Sequence, residues 1–314
     1  MKIGKLKTNN TQGKTMHIEY NQVWEDFLQD NYFPTYLRDV REVEFSQIQS
    51  CVLNDIPSTS QLILDMLAGD LFIIKNVLSP EETDRIKEVA HQYGQDTPTQ
   101  ELSETYPVPN FHCKSHGGKV KDGYDEVGHA YFFYRWNEDT LGVFSAIDRL
   151  WDTVKIFNGI GLDGIKNNLP KDKIIDRIQL LHYPVNTGEI TSHCDVSRWQ
   201  KTNIGINLTE LGKDFDSGGF YCLDKNEQRV RVEERVKTGD AVCWIPTVFH
   251  GVEKPTSNND IDWSTPEGRW QLLAFAIQSK AVKNRVVSVS HDNFKKDPQK
   301  VLEAYMFNET MEVE

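Results

Sequence analysis

The sequence has no Cys-x-x-Cys pair, no long apolar run, no block of basic residues and no internal repeat. Its five cysteines, Cys51, Cys113, Cys194, Cys222 and Cys243, are scattered and odd in number, so neither a disulfide framework nor a zinc knuckle is expected. Reduced thiols suit a cytosol-like compartment. No stretch approaches 18 apolar residues, and the basic start MKIGKLKTNNTQGK leads into no apolar segment, so a chain neither exported nor membrane-spanning is expected, cytoplasmic and with a frayed start. Lys and Arg number 35 against 47 Asp and Glu, giving a formal charge of −12. Nucleic acid is therefore excluded as a main partner, because neutralising phosphates needs a basic footprint. No period of 20 to 50 residues recurs, which removes solenoids and propellers. The Gly-rich dinucleotide and phosphate loops and the G-x-S-x-G nucleophile turn are also missing.

What remains is a 314-residue chain, 38% hydrophobic, able to form a sizeable core. Residues 20 to 70 read as mostly helical, and DLFIIKNV as a short buried strand. LSPEETDRIKEVAHQY follows with Ser79 as N-cap, Pro80 at the first helical position and Glu81 and Glu82 in the first turn. Residues 95 to 128 read as a long polar loop that covers something, its histidines (His112, His116) and nearby His129 solvated. HAYFFYRW is expected as a strand and GVFSAIDRLWDTVKIFNGI as an amphipathic helix.

From Lys173 the pattern changes to short β-prone runs between turns: IIDRIQLLHY, TNIGINLTEL, GGFYCL, RVRVEERV, DAVCWIP and RWQLLAFAIQ. An α+β chain is expected, with a mainly β core closed as a barrel or jelly roll and fronted by N-terminal helices. The expected organisation is a mostly helical extension over 1–69, a β domain over 70–280 with its core at 173–280, and a tail over 281–314 whose DPQKVLEAYMF forms a short helix.

Three polar features sit on that run of strands: His193-Cys194-Asp195, His250 and Arg269. A strand's period of two puts His193 and Asp195 on one side, where both can reach one ion, and turns Cys194 away. His250 lies 55 residues past Asp195, enough chain to go round a barrel and return alongside. Two neutral imidazoles and one carboxylate with open positions suit non-haem Fe(II) oxygen chemistry. Singly, His250 reads equally well as a core histidine and Arg269 as an ordinary strand arginine.

LLHYPVNTGEITSHCD, SGGFYCL, TGDAVCWIPTVFHGVEKPT and GRWQLLAFA together resemble the Fe(II)/2-oxoglutarate-dependent dioxygenase superfamily, in particular its prolyl-hydroxylase-like branch. The resemblance is specific from Lys173 to Ser279 and general from Asp70. It implies a double-stranded β-helix of the jelly-roll or cupin kind. It also implies Fe(II), 2-oxoglutarate and O2 as cofactors, His193, Asp195 and His250 as iron ligands, and Arg269 as partner of the cosubstrate's far carboxylate. Tyr183 is then a further hydroxyl donor to the cosubstrate. One departure stands out: Arg269 follows His250 by 19 residues, with SNNDIDWSTPE filling the gap like an inserted loop.

The implied activity is oxidation of an unactivated C–H bond, by hydroxylation, desaturation or oxidative cyclisation in a biosynthetic pathway, with release of succinate and CO2. Arg198, Arg135, Tyr131 and Arg177 are the candidate substrate residues, and their cationic character suggests a small molecule carrying carboxylates. Two other readings remain open: a hydroxylase acting on a peptide, for which an open groove would speak, and a metal-binding β-barrel without catalysis. Neither the substrate nor the oligomeric state is legible.

Overall fold

A computed structural model describes residues 12–28, 33–102, 105–119, 125–195, 199, 201–258, 262–283, 285 and 288–299. In chain order the elements are α1 (Gln12–Leu28), β1 (Val40–Glu44), α2 (Phe45–Asn54), α3 (Ile56–Leu67), β2 (Leu71–Lys75), α4 (Pro80–Asp96), β3 (Phe111–Lys119), β4 (Asp125–Tyr134) and α5 (Val143–Phe157). The β-rich half follows as β5 (Ile174–Pro184), β6 (Glu189–Asp195), β7 (Asn203–Asn207), β8 (Ser217–Leu223), β9 (Arg229–Arg231), β10 (Ala241–Trp244), β11 (His250–Thr256), β12 (Gly268–Gln278), β13 (Ser288–Ser290) and α6 (His291–Lys296).

Hydrogen-bonded neighbours run β1-β2-β10-β7-β12-β5-β4-β6-β11-β8-β9. Strands β5 to β12 thus divide into two four-stranded limbs, β10-β7-β12-β5 and β6-β11-β8-β9. The chain passes from one limb to the other at nearly every connection, which is the double-stranded β-helix the sequence suggests. It also explains why strands far apart in sequence become neighbours: β6 and β11 pair with His250 opposite His193. The limbs are joined by β4, which pairs β5 from His129 to Tyr134 and β6 at Glu126 and Val127.

Register decides what faces inward. On β12 and β5, Arg269 lies opposite Tyr183, Leu273 opposite Gln179 and Phe275 opposite Arg177, so the odd-numbered residues of both strands share the inner face. The even-numbered Ile178, Leu180, Trp270, Leu272 and Ala274 belong to the main core, together with Ile147, Leu150, Trp151 and Val154 of α5. Burying each such side chain contributes about 1.5–3 kcal/mol before conformational entropy is counted. Helix α4 begins as its sequence signals: Ser79 Oγ accepts from Glu82 N at 3.3 Å, and Ser79 N donates to Glu82 Oε2 at 2.8 Å.

Several expectations need correction. The stretch from 95 to 128 is not a loop throughout, because β3 occupies Phe111–Lys119 and β4 starts at Asp125. His112 and His129 are not solvated but buried, joined Nδ1 to Nε2 at 2.7 Å, with Tyr131 Oη 3.1 Å from His129 Nδ1. Besides α1, α2 and α3, the N-terminal segment carries β1, which runs parallel to β2 at the edge of the same sheet. The frayed start and most of the expected C-terminal helix lie outside the described residues.

Candidate metal centre and its cavity

His193 and Asp195 leave β6 on the same side, and the pairing with β11 brings His250 beside them. His250 Nε2 is 3.6 Å from Asp195 Oδ2, His193 Nε2 is 3.9 Å from Asp195 Oδ1, and one donor atom from each residue lies within 4.8 Å of the others. Both imidazoles are turned by their own backbone: His193 Nδ1 is 2.8 Å from Thr191 O, and His250 Nδ1 is 2.8 Å from Val248 O. A carbonyl oxygen can only accept, so each Nδ1 carries the proton and each Nε2 presents a lone pair to the centre. Burial, then the neighbouring His193, pushes the His250 imidazolium down to about 4, so its ring is neutral near pH 7.

Asp195 is held from both sides. Its Oδ1 accepts from Ser288 Oγ at 2.7 Å and its Oδ2 from Asn203 Nδ2 at 2.6 Å. Such outer contacts fix the direction of a metal-binding carboxylate. Trp244 stands edge-on to His250 at 5.1 Å, and Cys194 points the other way into a cluster with Phe249 and Val289. Two neutral nitrogens and one anionic oxygen, each braced by a second contact, make a donor set suited to one divalent transition-metal ion.

The three residues open on a cavity of ≈ 390 Å³ between the two limbs. Its floor is formed by Tyr183 and Gln271, its middle by Leu181 and Leu273, and its outer part by Arg177 and Phe275. The exposed Lys280 and Glu101, also in the wall, mark the solvent end.

The remaining sequence candidates divide. Tyr183 and Arg177 line the cavity. Arg269 sits on the inner face behind Tyr183 and Gln271 and is fully buried, so it stands behind the wall where a direct cosubstrate contact was expected. The cause is Glu233, whose Oε2 accepts a hydrogen bond from Arg269 Nε at 2.8 Å, while Nη1 donates to Gln271 Oε1 at 3.3 Å. Nη2 has no hydrogen-bond partner among the described residues. Despite the intervening loop, Arg269 lies directly across from Tyr183, its Cζ 5.9 Å from that ring's centre.

Arg135 and Tyr131 are not brought to the cavity. Arg135 is bound to Asp148 at 2.6 Å and Asp176 at 3.2 Å, and Tyr131 packs on the opposite face against His129 and Trp270. Arg198 lies outside the described residues. Sequence reasoning overlooked Glu233, Asn203, Ser288 and Glu126. Only Asn203 carried a signal, as a polar residue opening β7 eight places beyond Asp195.

No protein-family model and no curated protein matches the chain. Among solved structures, a Pseudomonas putida prolyl-4-hydroxylase aligns at 14% identity over 69% of this chain and 97% of its own, with a TM-score of 0.41. A Trichoplax adhaerens prolyl hydroxylase in complex with a hypoxia inducible factor peptide fragment aligns at 13% over 74% and 93%, TM-score 0.44. EctD from S. alaskensis, with 2-oxoglutarate and 5-hydroxyectoine, aligns at 13% over 76% and 79%, TM-score 0.40. Likeness at this level does not transfer a reaction or a substrate, and the site stands on its own three donors.

Proposed function

We propose that this chain is an Fe(II)- and 2-oxoglutarate-dependent oxygenase that oxidises a C–H bond of a small, carboxylate-bearing molecule. The observation that carries this reading is the His193, Asp195 and His250 set, whose two imidazoles are locked by backbone carbonyls with Nε2 turned inward. When bound, iron with the keto acid supplies the oxidising chemistry: one oxygen atom of O2 goes to the substrate and the other to succinate, with loss of CO2.

The protein's own part is positional. His193 and His250 offer neutral nitrogen donors, and Asp195 contributes one negative charge while Asn203 and Ser288 hold its two oxygens. The cosubstrate's far carboxylate is assigned to the floor, where Tyr183 and Gln271 form the wall and Arg269, with its spare Nη2, stands directly behind. A buried guanidinium with an unmet donor is an anion-seeking group. Phe220, Trp244 and Val252 line the cavity around His250 and keep bulk water from the centre. A cavity of ≈ 390 Å³, partly open to solvent, has the volume of a small-ligand site. Among the described residues no helix is long and apolar enough to cross a membrane.

The test is anaerobic titration of the protein with Fe(II) and 2-oxoglutarate, following the weak visible charge-transfer absorption of an iron-bound keto acid. The band is expected with the natural sequence and absent from Asp195→Ala whose circular dichroism is unchanged. A folded natural protein without the band refutes the reading.

A further inference from the structure

A planar guanidinium grips a carboxylate best through two parallel N–H bonds, offered from either of two edges. Both modes occur in this chain. Arg38 uses Nε and Nη2 on Asp70, at 2.6 and 2.8 Å, and Arg135 uses Nη1 and Nη2 on Asp148, at 3.1 and 2.6 Å. Arg269 has neither edge whole. On the first edge Nε is taken by Glu233 Oε2 at 2.8 Å, and on the second Nη1 is taken by Gln271 Oε1 at 3.3 Å. Nη2, common to both edges, is the nitrogen left without a hydrogen-bond partner among the described residues.

The two blocking groups belong to a closed ring. Gln271 Nε2 donates to Asn207 Oδ1 at 3.2 Å and Asn207 Nδ2 donates to Glu233 Oε1 at 2.8 Å, which leads back to Arg269. The polarity of the ring is forced from both ends: an ionised carboxylate can only accept and a guanidinium can only donate, so the oxygen and nitrogen of each amide between them are assigned. All four side chains are buried, and Gly205 makes the room, since a Cβ there would lie 2.7 Å from Gln271 Nε2. Glu233 is fixed further by accepting from Phe220 N at 2.8 Å, a backbone group. Of the four, Gln271 is the one that lines the cavity, so it covers the Nη1–Nη2 edge from the ligand's side.

We infer that Glu233 and Gln271 restrict Arg269 to a one-nitrogen contact with the cosubstrate's far carboxylate, so that the floor holds the keto acid loosely and its occupancy follows the concentration of that acid. The inference rests on the proposed oxygenase function for the identity of the ligand, and on the ring alone for the strength of the grip. Glu233 acts in the same direction through its charge, which balances that of Arg269 before any ligand arrives. Removing a residue from the floor should therefore tighten binding.

The test compares the natural chain with Gln271→Ala, which uncovers the Nη1–Nη2 edge towards the cavity. Calorimetry on the metal-free full chain reads glutarate, a dicarboxylate of the cosubstrate's length, against glutaramide, its uncharged diamide. Gln271→Ala is expected to bind glutarate about ten-fold or more tightly than the natural chain, because a second charged hydrogen bond becomes available, and to bind glutaramide no more tightly. Gln271→Ser should behave alike and replaces the alanine variant if that chain does not fold. Anaerobic titration with Fe(II), followed by the charge-transfer band, should show the same gain for 2-oxoglutarate and none for 2-oxopentanoate, which lacks the far carboxylate. The inference is overturned if the variants bind glutarate no more tightly than the natural chain, or if glutaramide gains as much. Because the calorimetric arm needs no iron, it decides the inference even where the band is absent, and a band with unchanged affinities would refute the inference while leaving the oxygenase reading in place.

Discussion

Removing the carboxyl of Glu233 is the most searching perturbation of the cavity floor. Glu233 is 1% exposed and accepts three hydrogen bonds of 2.8 Å each, from Arg269 Nε, Phe220 N and Asn207 Nδ2. Glu233→Ala leaves the Arg269 guanidinium buried without its counter-charge, a loss of about 3–5 kcal/mol. It also strands a backbone N–H and a side-chain amide at about 1–3 kcal/mol each if no water replaces the carboxylate. With partial relaxation the net loss should be on the order of 5 kcal/mol, a large share of a typical folding free energy of about 5–15 kcal/mol. Urea unfolding followed by tryptophan fluorescence would show this as a midpoint shift at unchanged slope. Arg269→Met should lose a comparable amount, and Glu233→Leu combined with Arg269→Met less than the sum of the two single changes, because the pair is then replaced by hydrocarbon. Single losses below about 1 kcal/mol, or strictly additive ones, would show that the pair is solvated and refute the account of why Arg269 is drawn behind the wall.

Three further outcomes follow from other contacts. Asn203→Ala and Ser288→Ala each free one oxygen of Asp195 and should weaken Fe(II) binding about 10–100-fold, measured by competition with a chelating dye. Gly219→Ala should destabilise by more than 2 kcal/mol on the order-of-magnitude scale of strained backbone, because Gly219 has φ of +97° and a Cβ there would meet Glu233 Cγ at 2.4 Å. Burial lowers His129 to about 2 and His182 to about 3, against about 6.5 in an unfolded chain. Above that value neither state is protonated there; as pH falls from about 6.5 towards 4 the unfolded chain takes up protons the folded one refuses. Stability should then drop by up to about 1.4 kcal/mol per pH unit for each histidine, and His129→Gln with His182→Gln should flatten the curve relative to its own neutral-pH value. An unchanged slope in that double variant would exclude these rings as its source.

The metal corner was legible because alternation along a strand is a strict geometric rule, and a His and an Asp two places apart need nothing else to share a side. The β-helix was legible from its apolar strands, yet β6 and β11, which bear the ligands, were the least visible as strands. EITSHCD and HGVEKPT carry few apolar residues, since their inner side chains meet a polar centre rather than a core. Strand β3 was hidden in the same way within FHCKSHGGK. Charge gave weaker guidance. Arg135 and Arg177 look alike in sequence, and the placement of Asp148 and Asp176 holds Arg135 away from the cavity that Arg177 lines. Glu233 lies 36 residues before Arg269 in a charged turn, where no spacing rule marks it as a buried partner.

The double allegiance of β4 bears on how the cavity can move. Its hydrogen bonds to β5 at one end and to β6 at the other fasten the two limbs along that side. The limbs cannot spread at β4 without breaking backbone hydrogen bonds, and the far margins are tied as well: Leu37, just before β1, bridges Asp224, its N donates to Leu223 O at 2.8 Å, and Arg235 beside β9 pairs with Glu42 of β1 at 3.0 Å. The fold is thus a sleeve laced down both sides rather than a clam, and traffic into the cavity falls to the end that Lys280 and Glu101 mark rather than to a parting of the limbs.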